Sequence, residues 1–317
     1  MTPQPEHPTT RKLWVGVATM LGTATSNQLG AAIGSLAFPA IGPSGVVAMR
    51  QWVAALVLLP VVRPDVRSFT WPQWWPMLLL AVSFGTMNLA LYSAVERIGL
   101  GLAVTLEFLG PLTVALVATR SRLGVTCAII VAGGVVLLAD PRPSTDWFGI
   151  ACGLVAAASW AAYILLNRTV GARVPGMQGT AVALACSALM FLPIGIAVFI
   201  RHPPTVDIIL LGLGAGILAS AIPYAADLVT LRRIPTQLFG VLTSVHPLMA
   251  AVIGLVVLGQ RLAWNEWLGM AVIVSANAVV VGVAGRTARI AGRRAALIGA
   301  SRAGPVLESA PYSPFET

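Results

Sequence analysis

Residues 87–118 read MNLALYSAVERIGLGLAVTLEFLGPLTVALVA, and residues 223–254 read PYAADLVTLRRIPTQLFGVLTSVHPLMAAVIG. Laid over each other at an offset of 136 without a gap, they agree at eight of 32 positions. Ala90, Arg97, Ile98, Leu102, Leu106, Pro111, Leu112 and Ala115 meet Ala226, Arg233, Ile234, Leu238, Leu242, Pro247, Leu248 and Ala251. Shared leucines and alanines are cheap in apolar sequence, but a shared Arg-Ile pair and a shared Pro-Leu pair are not. The chain reads as two copies of one unit.

The composition says what each copy is made of. Of 317 residues, 57% are hydrophobic and 10% charged, and the mean hydropathy is +0.85. A soluble domain carries about 25% charged residues, too many more to ignore. Ten apolar stretches are long enough to cross about 30 Å of hydrocarbon. They fall at 13–35, 43–62, 73–95, 99–118, 122–139, 147–168, 178–200, 206–231, 235–259 and 264–284. No period-two alternation runs through them, so they are helices rather than barrel strands. The expected fold is an all-α integral membrane protein of ten transmembrane helices. Five helices per copy is an odd number, so the second copy enters from the opposite face. This inverted-topology pair is the arrangement of many secondary transporters, whose substrate sits near the midplane between the copies.

Charge sets the expected orientation. With both termini cytoplasmic, fifteen of the 20 basic residues fall on the inner side. Arg97, Arg142, Arg201 and Arg261 fall outside, and Arg50 lies within a span. This is the positive-inside bias. The net charge of +9 is spread over short, separated loops, which excludes a nucleic-acid surface. The expected partition is a cytoplasmic tail (1–12), a first five-helix repeat (13–140), a second (147–285) and a basic, largely disordered cytoplasmic tail (286–317). The segment after Arg11 and Lys12 is too long and too polar for a signal peptide, with Thr23, Thr25, Asn27 and Gln28 inside it. Trp71, Trp74, Trp75, Trp264 and Trp267 suit interfacial anchors.

Chemical motifs are sparse. Cys127, Cys152 and Cys186 fall in spans without metal-ligand spacing and read as packing residues. Gly212, Gly214 and Gly216 follow no strand and read as close helix packing, not as a nucleotide loop. No Walker lysine, zinc-protease spacing or nucleophile elbow is present, so neither cofactor nor metal is expected.

What stands out is polarity inside the membrane. Pro111 has no N–H, which frees the carbonyl four residues earlier, that of Glu107. One position thus offers a carboxylate and a free carbonyl at membrane depth, tolerable only where they line a cavity. Pro247 does the same for Thr243, with Ser244 and His246 nearby. Arg50 and Glu107 lie about 10 and 12 Å from the same membrane face at 1.5 Å per residue, so an Arg–Glu pair is geometrically open. Such a pair is either a structural clamp or part of a substrate or proton site. Helical spacing puts Asn88 with Tyr92, Ser159 with Tyr163 beside Trp160, and Ser220 with Tyr224 and Asp227. Asp227 lies near the inner end, where Arg232 is an alternative partner.

The stretches FPAIGPSGVVAMRQ, GTMNLALYSAVERIGLGLAVTLEFLGPLTVAL and ASWAAYIL resemble the EamA-type branch of the drug/metabolite transporter superfamily. So does the long run from ASAIPYAAD to VVLGQ. Within that branch the resemblance is nearest to bacterial threonine/homoserine exporters. It implies a bacterial cytoplasmic membrane protein that exports small amino acids or related metabolites, driven by protons. It supports Arg50, Asn88, Tyr92 and Glu107 more firmly than the second copy. There the family's acid before the proline is His246, and its LGE ending to the ninth span is LGQ with Gln260.

The expectation is an alternating-access transporter, not an enzyme, acting as monomer or homodimer on a small molecule, with protons and membrane lipids as its other partners. Glu107, Arg50, Asn88, Tyr92, Trp160, Tyr163, Tyr224, Thr243 and Ser244 are the candidate substrate residues. Glu107, His246 and Asp227 are candidates for proton coupling, and Pro111 and Pro247 for functional helix breaks. The rival readings are a membrane enzyme acting on lipid head groups, which needs an acid, base or metal cluster, and a passive facilitator.

Overall fold

An apolar chain in lipid has no water to satisfy its backbone, so each segment must close its own hydrogen bonds. The computed structural model describes residues 10–119, 122–139, 146–223, 245–276 and 278–279, and among these every element is helical, with no strand. In order they are α1 (Thr10–Ser35), α2 (Phe38–Val62), a 3-10 turn (Val66–Ser68), α3 (Trp71–Ile98), α4 (Leu100–Glu107), α5 (Leu109–Thr119) and α6 (Arg122–Ala139). Then come α7 (Trp147–Arg173), α8 (Gln178–Met190), α9 (Leu192–Arg201), α10 (Val206–Gly216) with a π-helical turn (Ile217–Ala221), α11 (His246–Leu258) and α12 (264–276).

Among the described residues four stretches are long and apolar enough to cross a membrane: α2, α3, α7 and the α8–α9 pair. Leu100–Val114, Val206–Ser220 and His246–Leu258 are shorter apolar helices. Large side chains such as Leu56, Val61, Ile129, Ile200 and Val256 are exposed, while Gln28, Gln51, Asn88, Glu107 and Ser220 are buried. Apolar groups outside and polar groups inside is the distribution lipid selects. The two tails expected at 1–12 and 286–317 lie almost wholly outside the described residues.

The helix breaks have identifiable causes. The chain turns at Phe108, three residues before Pro111, and splits the fourth apolar segment into α4 and α5. A second break at Phe191 precedes Pro193 and separates α8 from α9. Pro247 sits in the first turn of α11, where a missing N–H costs nothing. The Thr243 carbonyl it was expected to free lies outside the described residues.

Antiparallel α3 and α7 are fastened at both ends. At one end Arg97 Nη1 meets Asp146 Oδ2 at 3.2 Å and its guanidinium covers the Phe148 ring. At the other, Gln73 Nε2 donates to the Arg173 carbonyl at 3.0 Å and Arg173 Nη1 to the Pro72 carbonyl at 2.6 Å. Between them, α3 also packs on α8, and α2 on α8, α9 and α10. On the other side α1 packs on α10 and α11, and α4 on α7 and α11. Close approach explains the glycines of α10: a Cβ on Gly212 would run into Met49, and one on Gly216 into Val53. These two fit the packing reading.

Candidate functional site

The site begins with a fault in α10. At Ile217–Ala221 the backbone switches to π-helical bonding, the Ile222 N–H reaching back to Ile217 O. Such turns displace carbonyls from the α-helical ladder. Here two of them take side-chain donors from other helices. Ser26 Oγ of α1 donates to Leu218 O at 2.7 Å, and Arg50 Nη2 of α2 donates to Ala219 O at 2.8 Å.

Arg50 makes two further bonds. Its Nε donates to Ser220 Oγ at 3.2 Å and its Nη1 to the Tyr92 hydroxyl at 3.4 Å. The direct pair with Glu107 that the sequence left open is not formed. Among the described residues the one ion pair is Arg97–Asp146. The physical reason is the π turn, which supplies a carbonyl and a hydroxyl to a guanidinium fork that would otherwise need a carboxylate.

Glu107 ends α4 and is 6% exposed. Among the described residues nothing hydrogen-bonds its carboxyl group. Next to it, Phe108 lies edge-on to Trp160 at 4.8 Å between centroids and tilted against His246 at 5.6 Å. His246 Nδ1 in turn meets Gln28 Nε2 of α1 at 3.4 Å.

The structure therefore brings Arg50, Tyr92, Glu107, Trp160 and His246 into one region at the centre of the bundle. Tyr92 is fully buried, and its ring lies edge-on to Phe38. Asn88 is buried one turn away, but its Nδ2 donates to Phe84 O of its own helix at 2.8 Å. Tyr163 is placed differently. It packs on Phe84 in a separate apolar cluster with Met77 and Leu80, while Trp160 belongs with Tyr92 and Phe108. Pro111 is half-buried in α5 and Pro247 buried in α11. Tyr224, Asp227, Thr243 and Ser244 lie outside the described residues.

Sequence reading missed the main-chain acceptors Leu218 O and Ala219 O, because no side-chain pattern marks a carbonyl released by a π turn. It noticed Gln28 without a partner to give it meaning. Beyond Phe38, a cavity of about 510 Å³ opens between the start of α2 and the end of α9, lined by Ile41, Ser44, Ile194, Arg201 and His202 among others. Among the described residues no cluster of His, Cys, Asp or Glu is arranged to hold a metal ion. The geometry offers a buried cation, a buried acid and aromatic walls between packed helices, which suits binding a small polar molecule.

The chain is similar to known transporters. The model of the EamA-like transporter family matches residues 147–282. The chain is 34% identical over 273 residues to the threonine/homoserine exporter RhtA of Salmonella typhimurium, covering 84% of this chain and 92% of that protein. It is 34% identical over 268 residues to the exporter of the same name from Escherichia coli K12, covering 84% and 90%. An uncharacterized transporter of Bacillus subtilis, YwfM, matches at 23% over 231 residues, 70% of this chain and 77% of its own. A solved crystal structure superposes with a TM-score of 0.57 at 21% identity, covering 87% of this chain and 99% of that one, which speaks for the fold alone. With its apolar helices and buried polar centre, the chain is a multi-pass membrane protein, and it belongs to the EamA-like transporter family.

Proposed function

We propose that the protein is a proton-coupled secondary exporter of small amino acids, threonine and homoserine among them, working by alternating access in the bacterial inner membrane. The observation that carries this is Glu107, a buried carboxylate without a hydrogen bond among the described residues, whose neighbour Phe108 shares an apolar cluster with Tyr92, the partner of Arg50. A buried ion stripped of partners is costly. A zwitterion supplies what both groups lack. Its ammonium group binds at Glu107 and the carbonyl freed by Pro111. Its carboxylate binds at Arg50 and the Tyr92 hydroxyl. Asn88, Trp160, Tyr163, Tyr224, Thr243 and Ser244 complete the lining of the pathway in this reading.

Alternating access needs two halves that rock about the site, and helix packing supports an inverted repeat of five and five helices over 13–140 and 147–285, while the positive-inside bias of the sequence supports both termini in the cytoplasm. Count α4–α5, α8–α9 and α10 with its π turn as one apolar segment each. The third then packs on the sixth, and the eighth on the first. The third packs on the seventh, and the eighth on the second. The fourth packs on the sixth, and the ninth on the first. Adding five to each number turns one member of a pair into the other.

Proton coupling follows from competition at Glu107. A protonated Glu107 binds ammonium weakly and releases the amino acid; the deprotonated form binds it again. His246 and Asp227 are the other titratable groups of these spans. The cavity beyond Phe38 is the exit, and Phe38 with Tyr92 forms the layer that separates it from Arg50. The test is Glu107→Gln in proteoliposomes preloaded with radiolabelled threonine under an imposed proton gradient. Efflux is expected to fall to the protein-free rate while the melting temperature and oligomeric peak stay unchanged. Wild-type efflux from the variant overturns the proposal.

A further inference from the structure

Two residues after the π turn Ile217–Ala221 comes Pro223, which has no N–H to give to either kind of helix. In α-helical bonding the carbonyl it leaves bare lies four residues back, Ala219 O. In π-helical bonding it lies five back, Leu218 O. Those are the two carbonyls that take side-chain donors from other helices. Arg50 Nη2 donates to Ala219 O at 2.8 Å and Ser26 Oγ to Leu218 O at 2.7 Å. The proline, and not the π turn alone, explains why this stretch draws its donors from outside.

Leu218 O needs Ser26 in only one of the two registers. Were the turn α-helical, the Ile222 N–H would close on Leu218 O from within the helix. In the π register that N–H reaches Ile217 O instead, and Leu218 O is left to Ser26. The Ser26 bond therefore stabilises the π register. Thr23 and Thr25 of the same helix spend their hydroxyls on their own backbone four residues back, at 2.8 Å each. Gly30, one turn beyond Ser26, completes the seat, since a Cβ there would run into the backbone nitrogen of Ala219. The other copy of the unit lacks both members of the pair. At the offset of 136, Pro223 falls on Met87 within the continuous helix α3, and Ser26 falls on Ala162 of α7.

Resting on the proposed export of amino acids, we infer that Ser26 is a positioning residue for Arg50. It touches no substrate. Its hydroxyl holds residues 217–221 in the π register, and that register sets Ala219 O and Ser220 Oγ where the Arg50 guanidinium meets them. Ala219 and Ser220 are each 4% exposed, so bulk solvent does not replace a bond lost here. Without the hydroxyl the turn relaxes toward α-helical bonding, Ile222 N–H closes on Leu218 O, and the guanidinium is no longer held in one orientation for a carboxylate.

The experiment joins a thermal cycle to transport kinetics, both on the full chain. Pro223→Ala restores an N–H, so that Leu218 O finds a donor within its own helix in either register, from residue 223 or from Ile222, and Ser26 becomes dispensable. Melting temperatures are measured for wild type, Ser26→Ala, Pro223→Ala and the double variant. Ser26→Ala is expected to lower the melting temperature of the wild type and to leave that of Pro223→Ala unchanged. Equal losses in the two backgrounds overturn the inference. In proteoliposomes, Ser26→Ala is expected to raise the KM for threonine efflux about fivefold, the size of one hydrogen bond, with kcat within about twofold. An unchanged KM, or a fall in kcat alone, makes the Ser26 bond structural only and also overturns the inference. A wild type that moves no threonine overturns the export reading instead, and the thermal cycle, which needs no transport, then decides the link from Ser26 to the turn by itself.

Discussion

Arg50 of α2 donates through Nη2 to the carbonyl oxygen of Ala219 at 2.8 Å, and so ties a residue of the first sequence copy to a helix of the second. With Ser220 and Tyr92 it spreads one guanidinium over three acceptors on two other helices. A lysine keeps the charge but not the fork.

Arg50→Lys is therefore expected to lose two of the three bonds. Hydrogen bonds to charged groups contribute about 1.5–3 kcal/mol each. Amino-acid efflux should fall at least about tenfold, equal to about 1.4 kcal/mol, and the melting temperature should drop. Ser220→Ala removes one neutral acceptor and should cost clearly less in both assays. Equal effects would mean that the shape of the guanidinium is irrelevant.

Gly110 and Gly133 give a controlled comparison. Gly110 lies against the Ala157 carbonyl, whereas a Cβ on Gly133 meets nothing within 4 Å. Gly110→Ala must push α5 off α7 and should destabilise by about 1–3 kcal/mol, the range for overpacking. Gly133→Ala relieves a flexible helical position and should leave the melting temperature unchanged or raise it. Thermal unfolding in detergent reads both.

Gln260 accepts the backbone N–H of Leu100 at 2.9 Å through Oε1, capping the start of α4 from the end of α11. Gln260→Leu leaves that donor bare and should cost about 1 kcal/mol, as loss of a cap does. Gln260→Glu keeps the oxygen and adds negative charge at a helix N-terminus, a gain of about 0.3–1 kcal/mol. Melting temperatures should rank Glu at or above Gln, and both above Leu.

Asp146 caps α7 by accepting from Gly149 N at 2.8 Å and from Arg97 at 3.2 Å. The Gly149 hydrogen bond first, and then Arg97, hold its carboxyl below the usual value. A depressed folded-state value means that the stabilisation is present at neutral pH and is lost as acid protonates the carboxylate. Melting temperature should therefore fall below about pH 4, the ordinary aspartate range. Asp146→Asn should flatten that fall and lower stability at pH 7. A variant with the wild-type acid profile would remove Asp146 from it.

Several features are legible in the amino-acid sequence. Helical class and membrane setting follow from hydropathy, because lipid forces each apolar segment to satisfy its own backbone. The fourth segment's break follows from Pro111, a local effect of a missing N–H. Gln260 shows the limit. As sequence it is a departure from the family's acid; as structure it is an oxygen in the right place.

The partners of the polar residues are not legible there, and the reason is geometric. Depth along a helix places Arg50 level with Glu107, but depth carries no azimuth and no knowledge of backbone faults. The sequence by itself determined how many apolar segments there are, where prolines interrupt them and which polar groups enter the membrane, since each depends on neighbours along the chain. Only the tertiary structure decided that Arg50 would turn to a π-helical carbonyl, that Glu107 would find no hydrogen-bond partner among the described residues and that Gln28 would meet His246. Those outcomes depend on which helix faces which, Arg50 and Ser220 being 170 positions apart in the chain and Gln28 and His246 218.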